Sequence, residues 1–235
     1  MPRTRFAAPL ALVAALTLTA CTTTVSDPAA TAPAGGVAAA NASTDADMRF
    51  DPATVGAQLD AIRVAPVDPY NGYDRVGDFG QAWADVDHNG CDTRSDILRR
   101  DLTQVTPSTG CTVDTGVLVD PYSGTTVHYT RGAVSSQAVQ IDHVVPVYEA
   151  WRTGAQHWSQ ATRIEFANDP LNLLAVDGAA NQAKGDLDPS RWLPPRASYR
   201  CEYVERYVTV LAKYRLTVPN DEKAALIRLV DGCPS

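Results

Sequence analysis

Two short stretches hold the side chains best suited to breaking a bond. Asp142 and His143 are adjacent in Ile141-Asp142-His143-Val144-Val145-Pro146, and Asn181 and Lys184 stand in Asn181-Gln182-Ala183-Lys184-Gly185-Asp186. Neighbouring side chains on a strand point to opposite faces, so His143 can meet a substrate while Asp142 reaches a cation. With an ordinary pKa of about 6.5, an imidazole can take a proton from water near neutral pH. A carboxylate and an amide carbonyl are hard oxygen donors of the kind Mg²⁺ or Mn²⁺ takes. Hydrolysis of a phosphodiester needs such parts, a base for the attacking water and a cation for the charge growing on the phosphate and the leaving oxygen. Lys184, three residues beyond Asn181, shares its helix face. Its ammonium is either a phosphate contact or a helix C-terminal charge favoured by the dipole.

Between these stretches lies Phe166-Ala167-Asn168-Asp169-Pro170-Leu171-Asn172-Leu173-Leu174. The Asp-His-x-x-Pro start, the middle Asn172 and the Asn-x-x-Lys-Gly-Asp end, in this order, resemble the HNH endonuclease superfamily, and most closely its GmrSD C-terminal type found in secreted bacterial nucleases. The block at 83–101 is similar to members of that group as well. The resemblance implies an α+β, mostly helical domain built around a ββα-metal core, with the motif core at 139–195. It implies a metal-dependent endonuclease acting on DNA, with RNA as a further substrate, and products with 5′-phosphate ends. His143 would be the general base and Asp142 and the Asn181 carbonyl would hold one Mg²⁺ or Mn²⁺. Asn172 would pin the loop that holds the catalytic histidine. The third letter of the motif name is an asparagine here, Asn181, rather than a histidine.

A second cation site is suggested by Asp85-Val86-Asp87-His88-Asn89-Gly90, which opens like a calcium loop, with Asp96 in the closing position. The same carboxylates could instead shape a turn and cap the helix that follows, so Ca²⁺ stands as a second candidate cofactor. Arg191, Arg196, Arg200, Arg206, Lys213 and Arg215 face only Glu202 and Glu205 over one stretch. That stretch reads either as a nucleic-acid-binding patch, with Arg191, Arg196 and Arg200 nearest the motif, or as a solvated helix face.

Elements to position these residues are legible in the pattern. Helices are expected over Ala53 to Ile62, Ser95 to Leu102 with Ser95 or Asp92 as N-cap, Val147 to Trp151, and Phe166 back to its cap Ser159. Val117 to Val119 and Thr125 to Tyr129 flank Asp120-Pro121-Tyr122-Ser123-Gly124, an additional short β-hairpin. Val139 to Val145 is a strand, and Leu171 to Val176 a second one that turns at Asp177-Gly178 into a helix, Ala179 to Lys184, stopped by Gly185. Tyr199 to Tyr214 carries an apolar helical stripe, and a last amphipathic helix reaches Val230. The run from Pro66 to Gly72 reads as irregular.

The chain opens on Arg3 and Arg5 before an apolar run too short to span a bilayer, then Leu18-Thr19-Ala20-Cys21. Residues 1–20 thus read as a lipoprotein-type export signal, with Cys21 lipidated. Residues 21–47, rich in Thr, Ala, Ser and Pro, read as a tether, and 48–235 as one domain. The protein is expected outside the cytoplasm, as a membrane-anchored lipoprotein or secreted, with no obligate protein partner evident. Cys91, Cys111, Cys201 and Cys233 are an even set that suits disulfides there. Three pairings exist, and Cys91 with Cys111 and Cys201 with Cys233 is favoured because each closes a local loop on one side of the motif region. A zinc site is the alternative, although none of the spacings is Cys-x-x-Cys. The formal charge is −7, from 20 basic and 27 acidic residues, which counts against tight non-specific binding to nucleic acid. The competing functions are a non-enzymatic calcium-binding surface lipoprotein with an HNH-like frame, and a nucleic-acid-binding module without turnover.

Overall fold

The computed structural model describes residues 51–107 and 109–234. The expected export signal, Cys21 and the tether lie outside the described residues. Two hydrophobic cores share the described chain, and a two-stranded sheet lies between them.

The first core is helical. Helix α1 (Pro52–Ala61) starts where the Asp51 carboxylate accepts from the Ala53 and Thr54 amides and proline takes the first helical position. It buries Val55 and Leu59 against α7 (Arg200–Tyr214) and α8 (Asn220–Asp231). The α7 stripe of Tyr203, Val204, Tyr207, Val208 and Leu211 is buried in this core. A Cys201–Cys233 disulfide joins the start of α7 to the chain beyond α8, Cα to Cα 5.7 Å. Helices α4 (Val147–Arg152) and α5 (Gln160–Ala167, capped by Ser159) complete it.

The second core lies under α3 (Thr93–Asp101) and an antiparallel sheet of β1 (Thr103–Pro107), β2 (Val113–Val119) and β3 (Thr126–Thr130). The expected hairpin is therefore part of a three-stranded sheet. Strand β1 escaped notice because its burial does not alternate and its register with β2 is irregular, which removes the period-two signal. Asp92, not Ser95, caps α3, its carboxylate accepting the Ser95 amide at 2.9 Å. A disulfide between Cys91 and Cys111, Cα to Cα 5.4 Å, closes this region, and both disulfides follow the favoured pairing. An unexpected short helix, α2 (Arg75–Phe79), runs from its Asp74 cap to Gly80, whose φ of 77° ends it. Five residues are too few to show a helical period.

Strands β4 (Val139–His143) and β5 (Leu173–Asp177) pair antiparallel, Asp142 opposite Leu174 and His143 opposite Leu173, and α6 (Gly178–Lys184) follows directly. One face, with Val139, Ile141, Leu173 and Ala175, packs into the second core, while Leu174 and Val176 on the other face join the first. Strand β4 ends at His143, two residues before the sequence pattern suggests. Asn172 fixes the next turn there: its Oδ1 accepts the Val145 amide at 2.8 Å and its Nδ2 donates to the Val145 carbonyl at 3.1 Å.

The outer rims of this pair are covered by side chains. On β5 the Ala175 amide donates to Asp101 Oδ2, the Asp177 amide to Asp120 Oδ1, and Arg100 donates to the Leu173 carbonyl, at 2.7, 2.9 and 2.7 Å. On β4 the Val139 carbonyl accepts from Arg94 at 3.1 Å and the His143 carbonyl from Lys184 at 2.8 Å. The described residues thus form an α+β domain in which helices outnumber strands.

Candidate active site

His143 ends β4 at the mouth of a polar cleft of about 190 Å³, lined also by Arg75, Asp142, Asn181 and Asp186. Its Nε2 lies 2.8 Å from the Ala167 carbonyl. A carbonyl only accepts, so Nε2 carries the proton and Nδ1 keeps its lone pair. The Trp83 indole lies nearly parallel to the imidazole, ring centroids 6.1 Å apart and planes 14° apart. Burial, and then the positive charge of Arg75, push the His143 pKa down to about 3, against the pull of the Ala167 carbonyl. The expectation of an ordinary value near 6.5 is corrected. A buried imidazolium would lose its hydration beside a cation, so the ring stays neutral across the neutral range.

Asp142 points to the opposite face of β4. Its Oδ1 accepts from Lys184 Nζ at 2.9 Å and its Oδ2 from the Tyr122 hydroxyl at 2.5 Å. Burial raises the carboxyl's pKa, while the Lys184 ammonium and the Tyr122 hydroxyl oppose the rise. Lys184 is fully buried (0 % exposed) and also donates to the His143 carbonyl. The expected phosphate contact for Lys184 is corrected: its ammonium faces inward, tying α6 to the end of β4, where no substrate phosphate can reach it. Tyr122, also 0 % exposed, comes from the β2–β3 turn. There Asp120 accepts the Ser123 amide and Gly124 has a φ of 78°, which folds the tyrosine under the sheet.

Asn181 lies three residues before Lys184 on the same face of α6. Its Nδ2 donates to Gln140 Oε1 at 2.9 Å, which fixes the amide and turns its carbonyl oxygen away from Gln140. Asn172 is fully buried and clamps the Val145 peptide. Asp142, Asn181 and Asp186 offer only oxygen donors at this cleft. A carboxylate has about four lone-pair sites, so Asp142 can still accept after its bonds to Lys184 and Tyr122. That donor set suits Mg²⁺ or Mn²⁺, ions that keep several waters and take one or two carboxylates. Among the described residues no group of three or more His, Cys, Asp or Glu side chains could hold a metal alone.

Other expected sites lie elsewhere. Arg191 is bound by Asp188 (Nε to Oδ2, 2.7 Å), Arg196 Nε donates to Ser198, and Arg200 Nε to the Pro194 carbonyl. None of the three lines the cleft. Within the same stretch Arg206 is buried and Lys213 pairs with Asp169 at 2.6 Å. The reading of one basic patch is corrected: Arg191, Arg196 and Arg200 are held by partners two to six residues away, and Arg206 and Lys213 by the Leu171 carbonyl and Asp169. Asp85, Asp87 and Asn89 share one loop, and Asp96 meets it from the first turn of α3. Asp85 accepts the Asn89 and Gly90 amides, Asp87 accepts the Asn89 amide, and Asn89 Nδ2 bridges Asp87 and Asp96. Sequence reasoning missed Arg75, Trp83 and Tyr122 as parts of the site, because each sits in a turn or a short helix where no periodicity marks it.

Residues 92–229 match the family model described as GmrSD restriction endonucleases, C-terminal domain. The chain is also similar to an uncharacterized secreted protein of Arthroderma benhamiae, 38% identical over 182 residues, which cover 77% of this chain and 85% of that protein. No solved structure matches.

Proposed function

This chain belongs to the family of GmrSD restriction endonuclease C-terminal domains, and from that membership and the cleft at the end of β4 we propose that it is an extracytoplasmic, metal-dependent nuclease of the HNH type. The observation that carries the reading is the tautomer of His143. Its Nε2–H is held by the Ala167 carbonyl, so the unprotonated Nδ1 is the base.

In this reading Nδ1 takes a proton from a water as the water oxygen attacks phosphorus, and the bond to the 3′ oxygen breaks. The imidazole is neutral at neutral pH, so its lone pair is free without prior deprotonation. Arg75 lines the cleft on both sides of His143, where its guanidinium meets the phosphate oxygens. Asp142, Asn181 and Asp186 would hold one Mg²⁺ or Mn²⁺, which when bound supplies charge neutralisation to the departing oxygen. Asn172, Lys184 and Tyr122 act through others: Asn172 holds the turn after the base, and Lys184 and Tyr122 fix the Asp142 carboxylate. The oxidised cysteine pairs and the secreted relative support an exported protein.

Supercoiled plasmid incubated with Mg²⁺, Mn²⁺ or EDTA tests the reading. Nicking that EDTA abolishes and His143→Ala lowers by about 10² to 10⁴ is expected. Undiminished cutting by the alanine variant would remove His143 as the base, and no cutting of plasmid, single-stranded DNA or single-stranded RNA with either metal would refute the nuclease.

A further inference from the structure

A second cleft, of about 360 Å³, opens beside the first and shares Asn181 with it. Trp83, Arg94, Ser136, Gln137 and Gln140 line it, and its volume falls within the range of about 300–1,000 Å³ usual for small-molecule sites. Its lining combines an aromatic wall, a cation and a row of amides. Asn181 donates to Gln140, and Gln140 Nε2 reaches Gln137 Oε1 at 3.4 Å. Arg94 is tethered by one bond to the Val139 carbonyl.

Trp83 is the unusual member. It is half-buried and held at a φ of 64°, a left-handed conformation that is an outlier for a bulky side chain. Strain of this kind persists where the surroundings fix it, and it concentrates at binding sites. Here it places the indole as a wall common to this cleft and to the smaller hollow containing Arg75 and His143.

We propose that this cleft is a subsite for one unpaired nucleobase of a single-stranded nucleic acid, stacked on Trp83 with its edge met by the Gln137 and Gln140 amides. The inference rests on the nuclease reading and names its substrate class. A base inside a duplex has both faces stacked and its pairing edge occupied, so it cannot enter a walled pocket without leaving the helix. An unpaired base offers a free face to the indole and free donors and acceptors to the amides.

Binding is measured without turnover, in EDTA, by anisotropy of labelled single-stranded DNA, single-stranded RNA and the matching duplex, using the His143→Ala protein as background. The single strands are expected to bind more tightly than the duplex. Trp83→Ala is expected to weaken single-strand binding by about 5- to 150-fold, the range that corresponds to stacking on one aromatic side chain, with Trp83→Phe restoring most of it. Gln137→Ala, at an exposed position where truncation costs little stability, is expected to weaken it as well. Tighter binding of the duplex, or single-strand binding unchanged in Trp83→Ala and Gln137→Ala, would overturn the proposal. Plasmid cutting alongside duplex preference would refute the base subsite and leave the nuclease standing. Single-strand preference with no cutting of single-stranded DNA or RNA by the unsubstituted protein under either metal would support the subsite and refute the nuclease.

Discussion

Glu222 stands in the first turn of α8 with 1 % of its surface exposed, and replacing it by glutamine makes the protein's alkaline stability a test of the buried cluster around it. Its Oε1 accepts from the Tyr207 hydroxyl at 2.9 Å, and its Oε2 is buried without a partner. Burial first, and then the Glu149 carboxylate, push its pKa up to about 8, against the pull of the Tyr207 hydroxyl. The folded value exceeds the unfolded one, so the native state holds a proton that the unfolded chain releases above its ordinary range. The stabilisation is fully present below the unfolded pKa of about 4.5 and is lost as pH rises through 8. At 1.36 kcal/mol per unit, the loss between about pH 5.5 and about pH 9 comes to about 3 kcal/mol. Glu222→Gln keeps an acceptor for Tyr207 and does not titrate. Urea unfolding at the two pH values should therefore show the variant gaining about 3 kcal/mol relative to the wild type from the lower to the higher. A difference between the proteins that stays constant with pH would mean that Glu222 is ionised throughout, and would refute the reasoning.

Because the His143 pKa is pushed down to about 3, the pH profile of kcat/KM should show no acid limb near the ordinary histidine value of about 6.5. For the same group the native state binds fewer protons than the unfolded one between about 3 and 6.5, so wild-type stability should fall over that window as pH drops, more than in His143→Ala; equal slopes in urea unfolding would refute this. Lys184→Met leaves the Asp142 carboxylate buried and unpaired, a loss of about 3–5 kcal/mol in urea, and adding Asp142→Asn should recover part of it. Asn172→Ala removes both bonds to the Val145 peptide, which should destabilise by about 1–3 kcal/mol for each orphaned group and lower kcat with little change in KM.

The parts of the site that lie close together in sequence were readable from it. Asp142 and His143 sit on a strand whose β-rich run announces it, and Asn181 and Lys184 share a helix face because three residues separate them. What the pattern could not supply was the partner of each charge. Lys184 is indistinguishable, by spacing, from a lysine that faces solvent, and only the β4–α6 packing shows Asp142 to be its neighbour. Lys213 looked like a free cation because Asp169, 44 residues away in sequence, reaches it only through the fold. The His143 pKa follows from burial, which a motif does not report. Trp83 and Tyr122 come from turns, where side-chain direction depends on one or two backbone torsions and leaves no period to detect.

The covered rims of the β4–β5 pair bear on how the protein survives as a separate molecule. A two-stranded ribbon normally presents open hydrogen-bonding groups along both sides, and these invite strands from neighbouring copies. Here Arg94 and Lys184 occupy carbonyls on one side, and Arg100, Asp101 and Asp120 occupy groups on the other. A strand arriving from another chain would have to displace charged groups that are already hydrogen-bonded, two of them carboxylates on peptide amides. The ribbon that carries His143 is thereby guarded on both rims against added strands.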